Sequence, residues 1–271
     1  MFTQHTSPRR LGVAIAGLLA FAAPYAQAET GSAIGEDLSI HIDLLGIAEL
    51  NVNPQAPVQI DHASTATEQE NSALGVDTGN ALLHLNTGVI SSEAEYAPGV
   101  AISAVGARTS VVDLDLSAVG LLGDGILAIT ADLIQSRSTV MGYCLPARPQ
   151  NRDMFDDIGF FNGFDEGNLH AGGPNGQPNP DDIKLEGLHI SILGIEVPDL
   201  PLNPAPNTSI DLGALGIVGA TLILNEQTLG GDGVNSASLT SNAVHVALDV
   251  AGLVTADVVL AHSDAGLDCT Q

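Results

Sequence analysis

The sequence contains no tryptophan, one lysine and two cysteines in 271 residues, and aromatic residues make up only 3% of it. Basic residues are nearly absent beyond the N-terminus: after residue 28 there are only Arg108, Arg137, Arg148, Arg152 and Lys184, set against all 32 acidic residues, a net charge of −27. A surface of that sign repels phosphate backbones and anionic headgroups, which excludes nucleic acid as a partner. Few large rings means that the core must be built from aliphatic side chains. The mature part also lacks any run of about 18 apolar residues, so no membrane-spanning helix is expected there.

What is present begins with an export signal. Arg9 and Arg10 precede the apolar stretch Leu11–Ala23, and Ala26-Gln27-Ala28 supplies a small-x-small cleavage site. Residues 1–28 therefore read as a signal peptide, and residues 29–271 as a single β-rich domain with an extracellular, cell-surface or periplasmic address. An oxidising compartment favours pairing Cys144 with Cys269 in a disulfide, which on the chain-entropy model contributes up to about 5 kcal/mol.

Apolar and polar residues alternate with period two along most of the chain. Leu38, Ile40, Ile42 and Leu44 form one such series, Val112, Leu114 and Leu116 another, and Val244, Val246, Leu248 and Val250 a third. Similar series run through Leu188–Ile192, Val218–Leu224 and Ala256–Leu260. Half-buried antiparallel strands follow, and the fold class is all-β: an antiparallel β-sandwich with a long irregular insertion. Gly-Asp-Gly at 123–125 and 231–233 supplies turns. An apolar-Gly-apolar step recurs irregularly around Gly46, Gly194, Gly216 and Gly252, where glycine is expected to mark bends or bulges.

The insertion spans 145–182 and is rich in Pro, Gly, Asn and Asp. It holds four of the six aromatics of the mature chain, Phe155, Phe160, Phe161 and Phe164, which either tether the loop or form a contact patch. Asp153, Asp156, Asp157, Asp165 and Glu166, with Asn162 and Asn168, are oxygen ligands of the kind calcium takes, although no calcium-loop spacing is present. No other cofactor is expected. His262-Ser263-Asp264 lists triad residues, but adjacent positions on a strand point in alternating directions, and a polar strand end is the better reading. No H-E-x-x-H, G-x-S-x-G or P-loop occurs, so no catalytic residue is assigned. Lys184 reads as an exposed strand lysine paired with acids.

The succession Pro206-Asn207-Thr208, Leu224-Asn225-Glu226-Gln227, Asn242-Ala243-Val244-His245-Val246 and Ala256–Ser263 resembles the bacterial choice-of-anchor P proteins. The resemblance implies an exported, strand-rich surface domain without established catalysis. The expected function is thus a structural or adhesin-like interaction module facing an extracellular protein or glycan, with self-association through edge strands open to it. The alternatives are a secreted hydrolase using a carboxylate pair and a calcium-dependent binding domain.

Overall fold

The computed structural model describes residues 28–44, 46–98, 103–120, 125–142, 169–171, 182–250 and 254–270. The leader, Cys144, all four phenylalanines of the insertion and its calcium-candidate acids lie outside those residues. Among the described residues the strands run in order β1 (Ala28–Leu44), β2 (Ala48–Val52), β3 (Val58–Ala63), β4 (Thr67–Leu74), β5 (Asp77–Gly79), β6 (Leu83–Asn86), β7 (Val89–Ala97), β8 (Ser103–Val119) and β9 (Gly125–Gly142), followed by β10 (Leu169–Ala171), β11 (Ile183–Glu186), β12 (His189–Ile192), β13 (Ile195–Glu196), β14 (Thr208–Ile210), β15 (Ala220–Gly231), β16 (Ser236–Val250) and β17 (Val254–Thr270). Leu169–Ala171 pairs with Gly142–Val140, so regular structure re-enters inside the stretch where the sequence pattern stops.

Among the described residues all pairing is antiparallel and falls into two sheets. Sheet A runs β14-β15-β16-β17-β1-β2, with β3 also on β1; sheet B runs β13-β12-β9-β8-β6-β5, with β10 and β11 on β9 and β7 carrying β4 beside β8. The sheets face one another across two apolar clusters to which both contribute. The larger contains Ile40, Ile42, Leu116, Ile129, Leu222, Val246 and Val258, and the smaller Ala33, Tyr96, Val105, Val140, Leu239, Leu267 and Cys269.

A change of phase divides the long strands. In β17, Val254 to Leu260 face inward on even numbers, then Ala261, Ser263, Ala265 and Leu267 face inward on odd ones. β1 changes at Asp37/Leu38, β16 at Ala243/Val244 and β15 at Leu224/Asn225, all on one row, since the ladders joining these strands skip Asp37, Asn225, Ala243 and Ala261. Because every strand carries its extra residue at the same level, neighbours stay in register. The kink takes left-handed backbone at Asn225 (φ 53°) and Ala261 (φ 53°), an unfavourable conformation for residues with a Cβ. Sheet B makes the same change where pairing passes over Asp113 (φ 52°) and Asp132.

Both margins of the kinked row in sheet A are sealed by side chains. On one side Asp37, buried, accepts hydrogen bonds from the Gln55 amide at 2.9 and 3.1 Å and the Ala56 amide at 3.4 Å, holding the passage from β2 to β3. On the other, Asn225 donates to the Pro204 carbonyl at 2.9 Å, while Asn207 accepts from the Gln227 amide at 2.9 Å and donates to its carbonyl at 3.1 Å. These contacts supply the partners that a kinked ladder leaves open.

Beside the kink the two apolar clusters are separated by small polar side chains. Ser136 and Ser138 of sheet B meet Ser263 of sheet A at 2.7 and 2.9 Å, and also donate to the Ser241 and Ser263 carbonyls at 3.2 and 2.9 Å. Ser263 is therefore a buried bridge between sheets. His262 and Asp264 point the other way, to Asn242 at 2.7 Å and Thr240 at 2.6 Å, so the three residues do not converge. They also lie within β17 rather than at a strand end.

The described apolar-Gly-apolar steps are turns, not bulges, and the one at Gly252 lies outside the described residues. Gly46, Gly194 and Gly216 have φ of 66°, 74° and 78°, and the carboxylate of Asp43 accepts from the Gly46 amide at 2.7 Å. Gly46 and Gly194 turn the chain after the buried strand residues Leu44 and Ile192, whereas Gly216 ends a short 3-10 helix, Gly213–Leu215, before buried Ile217. The 231–233 turn is as expected: Asp232 accepts from the amides of Val234, Asn235 and Ser236 at 2.9, 2.6 and 3.0 Å. Those bonds hold its carboxyl far below the usual carboxylate range.

Candidate binding surface

The outer faces of the two sheets differ in charge. Sheet A presents His41, His245 and His262 among acids and carries no Lys or Arg among the described residues. On it a polar chain crosses three strands: Asp257 meets His245 at 3.0 Å, His245 meets Glu226 at 2.9 Å, and Asn242 donates to Glu226 at 2.7 Å. His262 joins through Asn242. Every one of these groups is already engaged with a neighbour, which suits a network that stiffens the sheet.

The three described basic residues, Arg108, Arg137 and Lys184, all stand on the outer face of sheet B, on β8, β9 and β11. Register places Glu70 of β4 opposite Glu93 of β7, Glu93 opposite Arg108, and Arg108 opposite Arg137. Asp182, immediately before β11, closes this transverse row. The adjacent row holds Ser72, Ser91, Ser110, Gln135 and Lys184, with Ser91 and Ser110 hydroxyls 2.8 Å apart.

Gly106 on β8 has no side chain to fill the space above the sheet, and an open depression of about 310 Å³ lies there, lined by Glu93, Glu95, Arg108, Gln135, Arg137 and Asp182. A second of about 200 Å³ continues it past Glu70, Ser91 and Ser110. Together they form a shallow trough running across the strands. Lys184 pairs with Glu186 at 2.7 Å and is half exposed, as the sequence suggested. By contrast, Arg108 and Arg137 are exposed and form no ion pair among the described residues.

Sequence reasoning counted Arg108 and Arg137 without bringing them together. No local motif marked the pair: the register shifts between Ala118 and Val119, so spacing from the strand ends alone does not give the pairing of Arg108 with Arg137. Cys269 lies buried in the smaller cluster with Val140 and Leu169, near the end of β9 from which Cys144 is two residues removed. Among the described residues no group of three His, Cys, Asp or Glu is placed to hold a metal, and no helix is long and apolar enough to cross a membrane.

No protein-family model and no curated protein matches the chain. Among solved structures, Ail, the attachment invasion locus protein of Yersinia pestis, is aligned over 89% of this chain and 99% of its own, at 8% identity and a TM-score of 0.16. A score that low does not establish a shared fold.

Proposed function

We propose that the chain is an exported, non-catalytic β-sandwich of the choice-of-anchor P type, acting outside the cell as an adhesin-like interaction module through the outer face of sheet B. The observation that carries this reading is the convergence of all three described basic side chains on one face of a strongly acidic protein. Acidic side chains solvate the remainder of the surface, so solubility does not require that convergence. An open trough lined by charged and amide groups suits surface recognition. The leader, the strand-rich fold and the motif succession agree with an extracellular module. A Cys144–Cys269 disulfide would fasten the last strand to the end of β9.

Expression with the leader in a bacterial host tests the reading. The product is expected outside the cytoplasm with Glu29 as its first residue, and the purified protein is expected to coat cells or extracellular matrix without altering them. Retention of the leader, or coating that survives reversal of both arginines to glutamate, would overturn it.

A further inference from the structure

Arg108 and Arg137 are direct cross-strand neighbours, a placement in which like charges destabilise a sheet. Both line one trough, and neither is held in an ion pair among the described residues. Each planar guanidinium can take the paired oxygens of a carboxylate or a sulfate, and register puts two of them on neighbouring strands. The neighbouring row adds the hydroxyls of Ser91 and Ser110 and the amide of Gln135, which exchange hydrogen bonds with sugar hydroxyls. Glu93 and Glu95 on the rim can accept hydrogen bonds from such hydroxyls. An acidic peptide gains less here, because a sheet's outer face offers none of the main-chain pairing that peptides find at a sheet edge.

From this juxtaposition, and resting on the reading of the chain as a non-catalytic surface module, we infer that Arg108 and Arg137 bind the oxyanion groups of an anionic polysaccharide laid across β7, β8 and β9. The chemistry is shared by carboxylated and sulfated chains. Electrophoresis of the full exported protein through gels containing polygalacturonate, dextran sulfate, neutral dextran or polyglutamate tests it. Retardation is expected with one or both anionic polysaccharides and not with neutral dextran. Retention by polygalacturonate alone assigns a carboxylated ligand, and by dextran sulfate alone a sulfated one.

The double variant Arg108→Ser/Arg137→Ser is expected to bind about tenfold or more weakly, the equivalent of losing one charge-assisted contact. Glu49→Gln, on the exposed face of sheet A, should bind as the unchanged protein does, and equal melting temperatures show that all three fold. No retardation in low salt, undiminished retardation of the double variant, or equal retardation by polyglutamate would overturn the inference. Release of new reducing ends from a bound polymer would leave the site standing and remove the non-catalytic reading. Binding to cells without binding to either polysaccharide would do the reverse.

Discussion

Removing the Asp37 carboxylate tests whether the kinked row is held by its margins. Asp37 is 0% exposed and accepts from two backbone amides, those of Gln55 and Ala56, in the passage between β2 and β3. Asp37→Ala strands both amides, and at about 1–3 kcal/mol for each buried donor left unpaired, with partial relief by solvent, the expected loss is about 2–4 kcal/mol. Asp37→Asn keeps one acceptor oxygen and removes the desolvated charge, so its loss at neutral pH is expected near 1 kcal/mol. Burial raises the Asp37 pKa above the usual 3.8, with the hydrogen bonds opposing it. The folded state therefore binds the proton more tightly than the unfolded one. Stability contributed by this group rises as pH falls from neutral through the folded pKa and levels off below the unfolded value. Urea unfolding of the three proteins at pH 7 and pH 4.5 reads both effects, since the difference between the unchanged protein and Asp37→Asn isolates this one titration. A loss under about 0.5 kcal/mol in Asp37→Ala, within the range of ordinary surface substitutions, would refute the reasoning. So would a difference from Asp37→Asn that shrinks on acidification.

Asp232 has the opposite sign: its carboxyl is held below the usual range by turn amides, so its contribution is full above about pH 4, the unfolded value, and is lost on further acidification. The stability gap between the protein and Asp232→Ala, followed by urea unfolding, should close below that pH. Gly31 abuts the ring of Tyr96, and an added Cβ would overlap it, so Gly31→Ala is expected to cost about 1–3 kcal/mol by thermal or urea unfolding. If Cys144 and Cys269 are joined, the intact mass falls by two hydrogens without a reductant, and an unchanged mass rejects the bond. For the acids between Asp153 and Glu166, millimolar calcium should raise the melting temperature, and no shift there rejects the calcium reading.

The motif residues that carry the family resemblance show why a linear pattern hid its own meaning. Asn207, Asn225, Gln227, Asn242 and Ala261 are scattered over three strands and a loop in the sequence, yet they lie along or beside the kinked row. Period-two alternation was legible on one side of the kink, at Val244, Val246 and Leu248, but not on the other, where the buried positions include the polar Ser241 beside Leu239. The change of phase between them was not legible either, because left-handed backbone at Ala261 is favoured only when Ala243 and Asp37 on adjoining strands shift at the same level. Ser263 likewise looked like a polar strand end, and its burial follows from serines on the opposite sheet, Ser136 and Ser138.

Local composition determined that this chain pairs as strands, that Gly-Asp-Gly turns at 231–233, and that few cations remain to place, since each depends on residues adjacent in sequence. Tertiary structure alone decided where those cations went. Arg108, Arg137 and Lys184 are brought onto one face by the pairing of β8, β9 and β11, and Glu70 and Glu93 by that of β4 and β7. Such neighbours are joined by register across a sheet, a property of pairs of strands that no single stretch of sequence contains.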